Sequence, residues 1–178
     1  NGLSDVFVHD RLSHTTEVVS VSSLGEQGNG ASGGSSISAW GRHIVFASGA
    51  DNLVQGDTNG AWDVFVRDRV AKSTELISRS TGGVLGNRGS GDGCISATGQ
   101  FVAFSSEASN LVPGDTNAVA DVFVVDRFGG TIERISVGAG GLQGNGDSSS
   151  PAISADGQRV SFLSSASNLV PGDTNGFR

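Results

Sequence analysis

The sequence predicts an all-β fold, and three observations support that prediction. A segment of 58 residues occurs three times in tandem, and 26 of its 58 positions are identical in all three copies. Each copy contains short apolar runs of the length and composition typical of strands. The 178 residues include 28 glycines, and no window of about ten residues keeps the 3.6-residue periodicity of a helix. We therefore expect short strands joined by turns.

The repeat divides the chain into segments 1–58, 59–116 and 117–174, and residues 175–178 begin a fourth copy. The tetrapeptide DVFV marks the phase, since it begins at Asp5, Asp63 and Asp121. We expect residues 1–178 to form one continuous repeat segment. Because the sequence contains no methionine, Asn1 is not an initiator residue, and we expect the chain to be a trimmed product or an excised piece.

Four strands are expected in each copy, and the second copy shows them in order. Residues 63–69 form an apolar strand suited to burial on both faces, and residues 75–78 complete a hairpin with it. A glycine-rich stretch at 82–93 has no periodicity and is expected to be a loop. A short strand at 94–96, a turn at 97–99 and a stronger strand at 101–104 follow. Four short strands at a fixed period favour β-propeller blades over a sandwich.

Residues 153–162, ISADGQRVSF, resemble the blade motif of the WD40-like PD40 repeats found in TolB-like six-bladed β-propellers. In that family a D-[IV]-[YF]-V strand follows, and here it is DVFV. The resemblance covers all three copies. It implies that the innermost strand precedes the turn at residues 155–157, so that a complete blade spans about 35–78. The chain then holds two whole blades and two half blades.

Three blades cannot close a propeller, because known propellers need about four to eight blades, and open strand edges invite pairing. We expect two copies to join head to tail as a homodimer of six blades. The strand at 5–11 of one copy would pair with the strand at 159–164 of the other. The alternative is that the chain is one fragment of a longer propeller, with its missing blades lost or supplied by a separate polypeptide.

Oxygen-bearing side chains recur at the first, third and seventh positions of one loop, a spacing that resembles the start of a calcium loop. The candidate metal ligands are Asp57, Asn59 and Asp63, then Asp115, Asn117 and Asp121, and then Asp173 and Asn175 together with Asp5 of a second copy. The loop lacks the acid at position 5 and the glutamate at position 12 of an EF-hand. The alternative is that these side chains close turns and seat the loop by accepting backbone N–H groups.

A second candidate site lies in the loops that lead into the innermost strands, which line one mouth of a propeller channel. The candidate ligand-binding residues are Asn29, Asn87 and Asn145, with Ser32, Ser90 and Ser148. Such a ring would hydrogen-bond a sugar, a peptide or ordered water. The alternative is that asparagine and glycine only supply turn conformations.

Composition and motifs limit the function. The formal net charge of −7 argues against nucleic acid, and no apolar run reaches the length of a membrane span. The recurring serines have no recurring histidine to activate them, and Cys94 and Trp62 are interpreted as packing residues. We therefore expect no catalytic activity.

The sequence favours a scaffold or binding module for a protein, peptide or glycan. The alternatives are a natural or engineered self-assembling repeat without ligand, a calcium-stabilised propeller and, least favoured, a propeller hydrolase or lyase. No cofactor is required, and calcium is the candidate cation. The family resemblance implies a periplasmic, extracellular or cell-envelope location.

Overall fold

The computed structural model describes residues 1–173, which form four antiparallel sheets. The first has two strands, β1 (Phe7–Asp10) and β2 (Thr15–Val18). The second has four, β3 (Ser32–Ile37), β4 (His43–Ser48), β5 (Asp63–Asp68) and β6 (Ser73–Leu76), in that spatial order. The third repeats this order with β7 (Ser90–Ile95), β8 (Phe101–Ser106), β9 (Asp121–Asp126) and β10 (Thr131–Arg134). The fourth has β11 (Ser148–Ile153) and β12 (Val160–Ser164).

This architecture confirms the all-β prediction and the phase of the blades. Two whole blades lie between two half blades, of which the first supplies outer strands and the last supplies inner strands. The strands β3, β7 and β11 are the inner strands, and β7 packs against both of the others. The described residues also include one short 3₁₀ turn, Ala139–Gly141. None of the described helices is long and apolar enough to span a bilayer.

One expectation about the glycine-rich stretch is wrong, because its last four residues belong to a strand. β7 begins at Ser90, and a β-bulge between Gly91 and Cys94 accommodates the irregular pairing with β8. Gly93 is required there for close packing, since a Cβ at this position would lie 2.7 Å from Cγ2 of Val45 in the neighbouring blade. The glycine-rich segment therefore builds the contact between blades.

The hydrophobic core lies between neighbouring sheets and not within any one of them. β4 and β5 are buried along their whole length, and their alternate residues point to opposite faces. Phe46 packs towards the first half blade, whereas Val45 packs towards the second whole blade. In the second whole blade, Phe104 stacks on Phe123 with the ring centroids 5.8 Å apart. Each blade thus depends on both of its neighbours for burial.

Ion pairs join the outer parts of the blades. Arg127, at the end of β9, donates to Oε2 of Glu75 in the preceding blade at 3.0 Å. It also donates to the carbonyl of Gly99 at 2.5 Å. Arg69 repeats both contacts, with Glu17 and with the carbonyl of Gly41. These arginines therefore connect each blade to the one before it.

A side chain of each whole blade fits against a turn of the following inner strand. His43 lies against Gly99, and Phe101 lies against Gly157, which is the equivalent turn one copy later. A Cβ would come within 2.2 Å of the His43 ring at Gly99 and within 2.1 Å of the Phe101 ring at Gly157. Both glycines also have positive φ, at 79° and 75°, so any other residue would be strained and would clash.

The half blades leave apolar side chains uncovered on their open edges. Phe7 of β1 is 59% exposed, whereas its equivalents Phe65 and Phe123 are fully buried. Leu163 of β12 is 64% exposed. Within residues 1–173, β1 pairs only with β2, and β12 pairs only with β11. β1 and β12 therefore each present an edge that is paired with a neighbouring strand in the whole blades.

The burial difference between equivalent phenylalanines predicts unequal effects of substitution. Phe123→Ala removes a buried ring and is expected to lower the free energy of unfolding by about 3 to 5 kcal/mol. Phe7→Ala is the matched control and is expected to cost less than about 1.5 kcal/mol in the single chain. Urea denaturation at low protein concentration measures both. Equal losses would show that the edge of β1 is already covered.

Candidate functional site

The predicted site residues gather at one end of the blades, where the inner strand begins. In the first whole blade Ser32 is paired with Ser48, and Ser48 is paired with Asp63. The loop before β3 and the loop that joins β4 to β5 therefore meet at this end. The second whole blade repeats the arrangement with Ser90, Ser106 and Asp121.

The predicted asparagines clasp two of these loops together. The backbone N–H of Asn87 donates to Oδ1 of Asn110 at 2.9 Å, and its Nδ2 donates to Oγ of Ser109 at 3.1 Å. Its Oδ1 accepts the N–H of Ser109 at 3.0 Å. The same pattern recurs at Asn29 and Asn145. These amides hold the loop before the inner strand, and a ligand-binding role for them stays a prediction.

The predicted serines are buried beneath the same loops. Oγ of Ser90 donates to Oγ of Ser106 at 2.8 Å, and Ser32 makes the same bond to Ser48. Ser148 lies 2.9 Å from the equivalent hydroxyl of Ser164. Because these hydroxyls bond across neighbouring strands, their established contacts are structural, and a role towards a ligand stays a prediction.

The loop proposed as a calcium site in the first whole blade is closed by its own side chains. Nδ2 of Asn59 donates to Oδ2 of Asp63 at 2.7 Å and to the carbonyl of Gly86 at 3.1 Å. Its Oδ1 accepts the N–H of Ala61 at 3.0 Å. The other oxygen of Asp63 accepts the hydroxyl of Ser78 at 2.5 Å. Asn59 thus turns its nitrogen, and not its oxygen, towards Asp63.

Burial changes the electrostatics of this loop. Desolvation, strengthened by the negative charges of Asp63 and Asp51, raises the pKa of Asp57 to about 6. Desolvation also raises the pKa of Asp63, although hydrogen bonds from Ser78 and Asn59 oppose it. Neither carboxylate has a basic partner within residues 1–173. The first whole blade therefore contains two buried acids without a neutralising cation.

The equivalent loop of the second whole blade contains such a cation. Nη1 of Arg134 lies 3.0 Å from Oδ1 of Asp115 and 3.4 Å from Oδ2 of Asp121. Asn117 repeats the bonds of Asn59, at 2.8 Å to Asp121 and 3.1 Å to the carbonyl of Gly144. The position of Arg134 is occupied by Leu76 in the first whole blade. The guanidinium therefore takes the place predicted for a metal ion in this copy.

The third predicted metal set is divided between the two half blades. Asp5 accepts the hydroxyl of Ser20 at 2.7 Å, as Asp63 accepts that of Ser78. Asp173 lies at the other end of the chain, and Asn175 lies outside the described residues. Among residues 1–173 no group of three or more His, Cys, Asp or Glu side chains is placed to hold a metal ion. Calcium binding stays a prediction.

A cleft of about 510 Å³ opens at this end between the two whole blades. Its lining residues include Gly33, Gly91, Trp62, Asp92 and Glu107. Asp92 lies in the bulge of β7 with a positive φ of 52°, where the first copy has a glycine with a φ of 58°. A volume of this size suits a small ligand or one side chain of a larger partner.

Sequence reasoning missed this cleft because its distinctive residues do not recur. Trp62 is replaced by Ala120 one copy later, Glu107 is replaced by Gly49 one copy earlier, and Asp92 by Gly34. The available signal was that two acidic residues and a tryptophan break the repeat at one end of adjacent blades. The repeat emphasised the residues that build the framework instead.

Three further titratable side chains, those of His43, Asp68 and Cys94, are paired or buried. His43 lies 3.4 Å from Oδ2 of Asp68, and burial lowers the pKa of its imidazole. Arg42 binds the same carboxylate at 2.7 Å, and its hydrogen bonds hold the pKa of Asp68 well below the usual range. Burial raises the pKa of the Cys94 thiol. A second cleft of about 380 Å³ is lined by Glu75 and Arg127, which bind each other.

No family model matches the sequence, and no curated protein matches it. The fold is similar to the crystal structure of TolB from Acinetobacter baumannii, with a TM-score of 0.53 and 15% identity over 93% of this chain and 35% of that chain. It is also similar to the tricorn protease, with a TM-score of 0.54 and 20% identity over 89% of this chain and 13% of that chain. These likenesses show a TolB-like β-propeller fold. The chain spans about a third of the TolB structure.

Within residues 1–173 Asp57 has no neighbouring cation, whereas the equivalent aspartate is paired with Arg134. At high pH, substitutions at Asp57 and at Arg134 are therefore expected to change the free energy of unfolding in opposite directions. Since the folded state raises the pKa of Asp57 above its unfolded value, the free energy of unfolding falls as the pH rises from about 4 to about 6. Asp57→Asn removes this loss and is expected to stabilise the chain by about 1 to 2 kcal/mol at pH 8. It should have little effect at pH 4.

Arg134→Leu is the matched variant, because it gives the second whole blade the leucine of the first. It leaves two buried carboxylates unneutralised and is expected to destabilise the chain by about 3 kcal/mol at pH 8 and by less at pH 5. Urea denaturation across this pH range measures both variants. If the free energy of unfolding of Arg134→Leu changes with pH in the same way as that of the wild type, Arg134 is not the neutralising cation.

Proposed function

We propose that this chain is a non-enzymatic, TolB-like β-propeller module that binds a protein, peptide or glycan at the end where its inner strands begin. The observation that supports the proposal most directly is the cleft of about 510 Å³ between the two whole blades. It lies where loops from adjacent blades converge, which is the usual place for ligands on this fold. The framework around it is rigidly hydrogen-bonded.

The chemistry of the described side chains supports a binding role over catalysis. A nucleophile needs a neighbouring base or a lowered pKa, whereas burial raises the pKa of the Cys94 thiol. The buried His43 is oriented by Asp68, and the hydroxyls of Ser32 and Ser90 bond to other serines. The recurring serine represented by Ser78 donates to an aspartate and has no histidine beside it in these hydrogen bonds. The proposal includes no required cofactor, and it assigns the module to the periplasm, the cell envelope or the extracellular space.

Blocking the cleft tests the proposal. Labelled wild-type chain is applied to peptide and glycan arrays, once with millimolar calcium and once with EDTA. Gly91→Trp adds a large side chain to the lining of the cleft at a position where an added Cβ meets no atom within 4 Å, and it is expected to abolish the signal. Gly82→Trp, in a loop away from this cleft, is the matched control and should bind as the wild type does. Arrays without any ligand, or ligands indifferent to Gly91→Trp, would contradict the proposal.

We also propose that the module closes by pairing head to tail with a second copy. Applying the register of β4 and β5 to the free edges places Phe162 of one copy opposite Phe7 of the other. The same register places Arg159 opposite Asp10, as His43 lies opposite Asp68 within the chain. Opposite charges directly across a ladder stabilise the pairing. The new ladder would cover the exposed ring of Phe7.

A second contact supports the same arrangement. Arg69 binds Glu17 and Arg127 binds Glu75, each in the preceding blade. The residue equivalent to these arginines in the first copy is Arg11, and the residue equivalent to these glutamates in the third copy is Glu133. Arg11 of a second copy, completing the blade begun by β11 and β12, would meet Glu133 of the first copy. The unpaired members of the series thus match the two ends of the proposed junction.

The native mass, measured by light scattering, tests this junction. Two chains of 18.0 kDa are expected to give a particle of twice that mass. Arg11→Glu is expected to shift the particle towards the single chain, because it places like charges together at both junctions. Arg11→Glu combined with Glu133→Arg should restore the double mass. A stable single chain at all concentrations would contradict self-pairing and favour blades supplied by another polypeptide.

A further inference from the structure

We infer that the cleft between the two whole blades binds a guanidinium or alkylammonium group carried on a peptide segment of a protein partner. This inference rests on the proposed binding function and names the chemistry of its ligand. It is drawn from three properties of the cleft, namely an open aromatic face, two acidic side chains and the absence of any basic residue in its lining.

The aromatic face is that of Trp62, which is 47% exposed. The indole lies against Gly49, where a Cβ would be 3.3 Å from Nε1, and about half of the residue's surface remains exposed. Its backbone is fixed because the carbonyl of Trp62 accepts the N–H of Ser90 at 2.7 Å. Tryptophan is the best of the aromatic residues for binding a cation over its face.

The charge of the cleft comes from Asp92 and Glu107. Asp92 is held by the hydroxyl of Ser105 at 3.1 Å, which orients one carboxylate oxygen. Neither acid forms an ion pair within the described part of the chain. Two carboxylates beside an indole attract an organic cation and repel an anion.

Asp92 has a left-handed backbone conformation, with a φ of 52°. The bulge needs positive φ at this position, and the first and third copies have Gly34 and Ser150 there. Aspartate tolerates the left-handed region better than most residues. The second copy therefore carries a charged side chain at a strained position of the inner strand. Strain of this kind accumulates at functional sites more often than elsewhere.

The cleft does not depend on how the propeller closes. All of its lining residues lie between 33 and 120, in the two whole blades. A peptide fits better than a free metal ion, since the lining includes apolar surface from Trp62 and Ala47 beside the acids. A neutral sugar could stack on the indole, but it would leave both carboxylates without a charged partner.

Fluorescence of Trp62 tests the inference. The chain has two tryptophans, so a Trp40→Phe background leaves Trp62 as the reporter. The probes are the blocked tripeptide Gly-Arg-Gly, its Gly-Gln-Gly counterpart and methylguanidinium. We expect the arginine peptide to bind at least about fivefold more tightly than the glutamine peptide, and its affinity to fall with added salt.

Charge-neutralising variants identify the residues. Asp92→Asn and Glu107→Gln are each expected to weaken binding of the arginine peptide about fivefold. Asp92→Gly, which restores the residue of the first copy, should weaken it as much without straining the bulge. Glu26→Gln, an exposed acid elsewhere, is the matched control and should leave the affinity unchanged.

The outcomes separate this inference from the proposed function. Methylguanidinium binding as tightly as the peptide would support the cation site and assign a free cation as its source. Equal binding of the glutamine peptide, or no effect of Asp92→Asn, would overturn the cation inference and leave the binding module in place. If no probe changes the fluorescence at about 10 mM, the cleft does not bind an organic cation. The array experiment with Gly91→Trp then tests the proposed binding function independently.

Discussion

A blade of this chain is a single sheet with apolar residues on both faces, so it is stable only between two other sheets. Val45 and Phe46 are adjacent in β4, yet they belong to different cores, one shared with the following blade and one with the preceding half blade. This constraint determines where glycines are needed, where arginines reach across and why the outermost faces remain uncovered. The exposure of Phe7, against full burial of Phe65 in the same sequence context, shows the constraint directly.

The polar groups divide into a framework common to the copies and a set of local departures from it. Amide clasps such as that of Asn87 and hydroxyl pairs such as that of Ser90 and Ser106 satisfy loop groups that packing would otherwise leave without partners. Residues that depart from the repeat change the local charge while the strand order stays the same. Leu76 and Arg134 occupy the same position of the repeat. Leu76 leaves Asp57 and Asp63 without a cation among the described residues, whereas Arg134 neutralises the equivalent pair of aspartates.

The fold could be predicted from the sequence to a large extent, because strand period, turn glycines and the DVFV phase are local signals repeated three times. The four strands and the division into two whole and two half blades follow from them. The first residues of β7 could not be predicted as strand, because their glycines are explained by packing between blades and not by local sequence. A Cβ on Gly93 would clash with Val45 of the neighbouring blade. The cleft escaped prediction for a related reason. Trp62 and Glu107 belong to one copy of the repeat but to different blades, and they line one cleft only because the blades pack side by side.

The contact of His43 with Gly99, repeated by Phe101 with Gly157, has a consequence for how such a chain changes its number of copies. The receiving glycine is present in each copy, as Gly41, Gly99 and Gly157, whereas the inserted residue is histidine in one of the two contacts and phenylalanine in the other. The turn therefore accepts inserted side chains of different chemistry. Such tolerance favours the addition or deletion of a whole blade by unequal recombination within the gene, so that blade number becomes a trait on which selection can act.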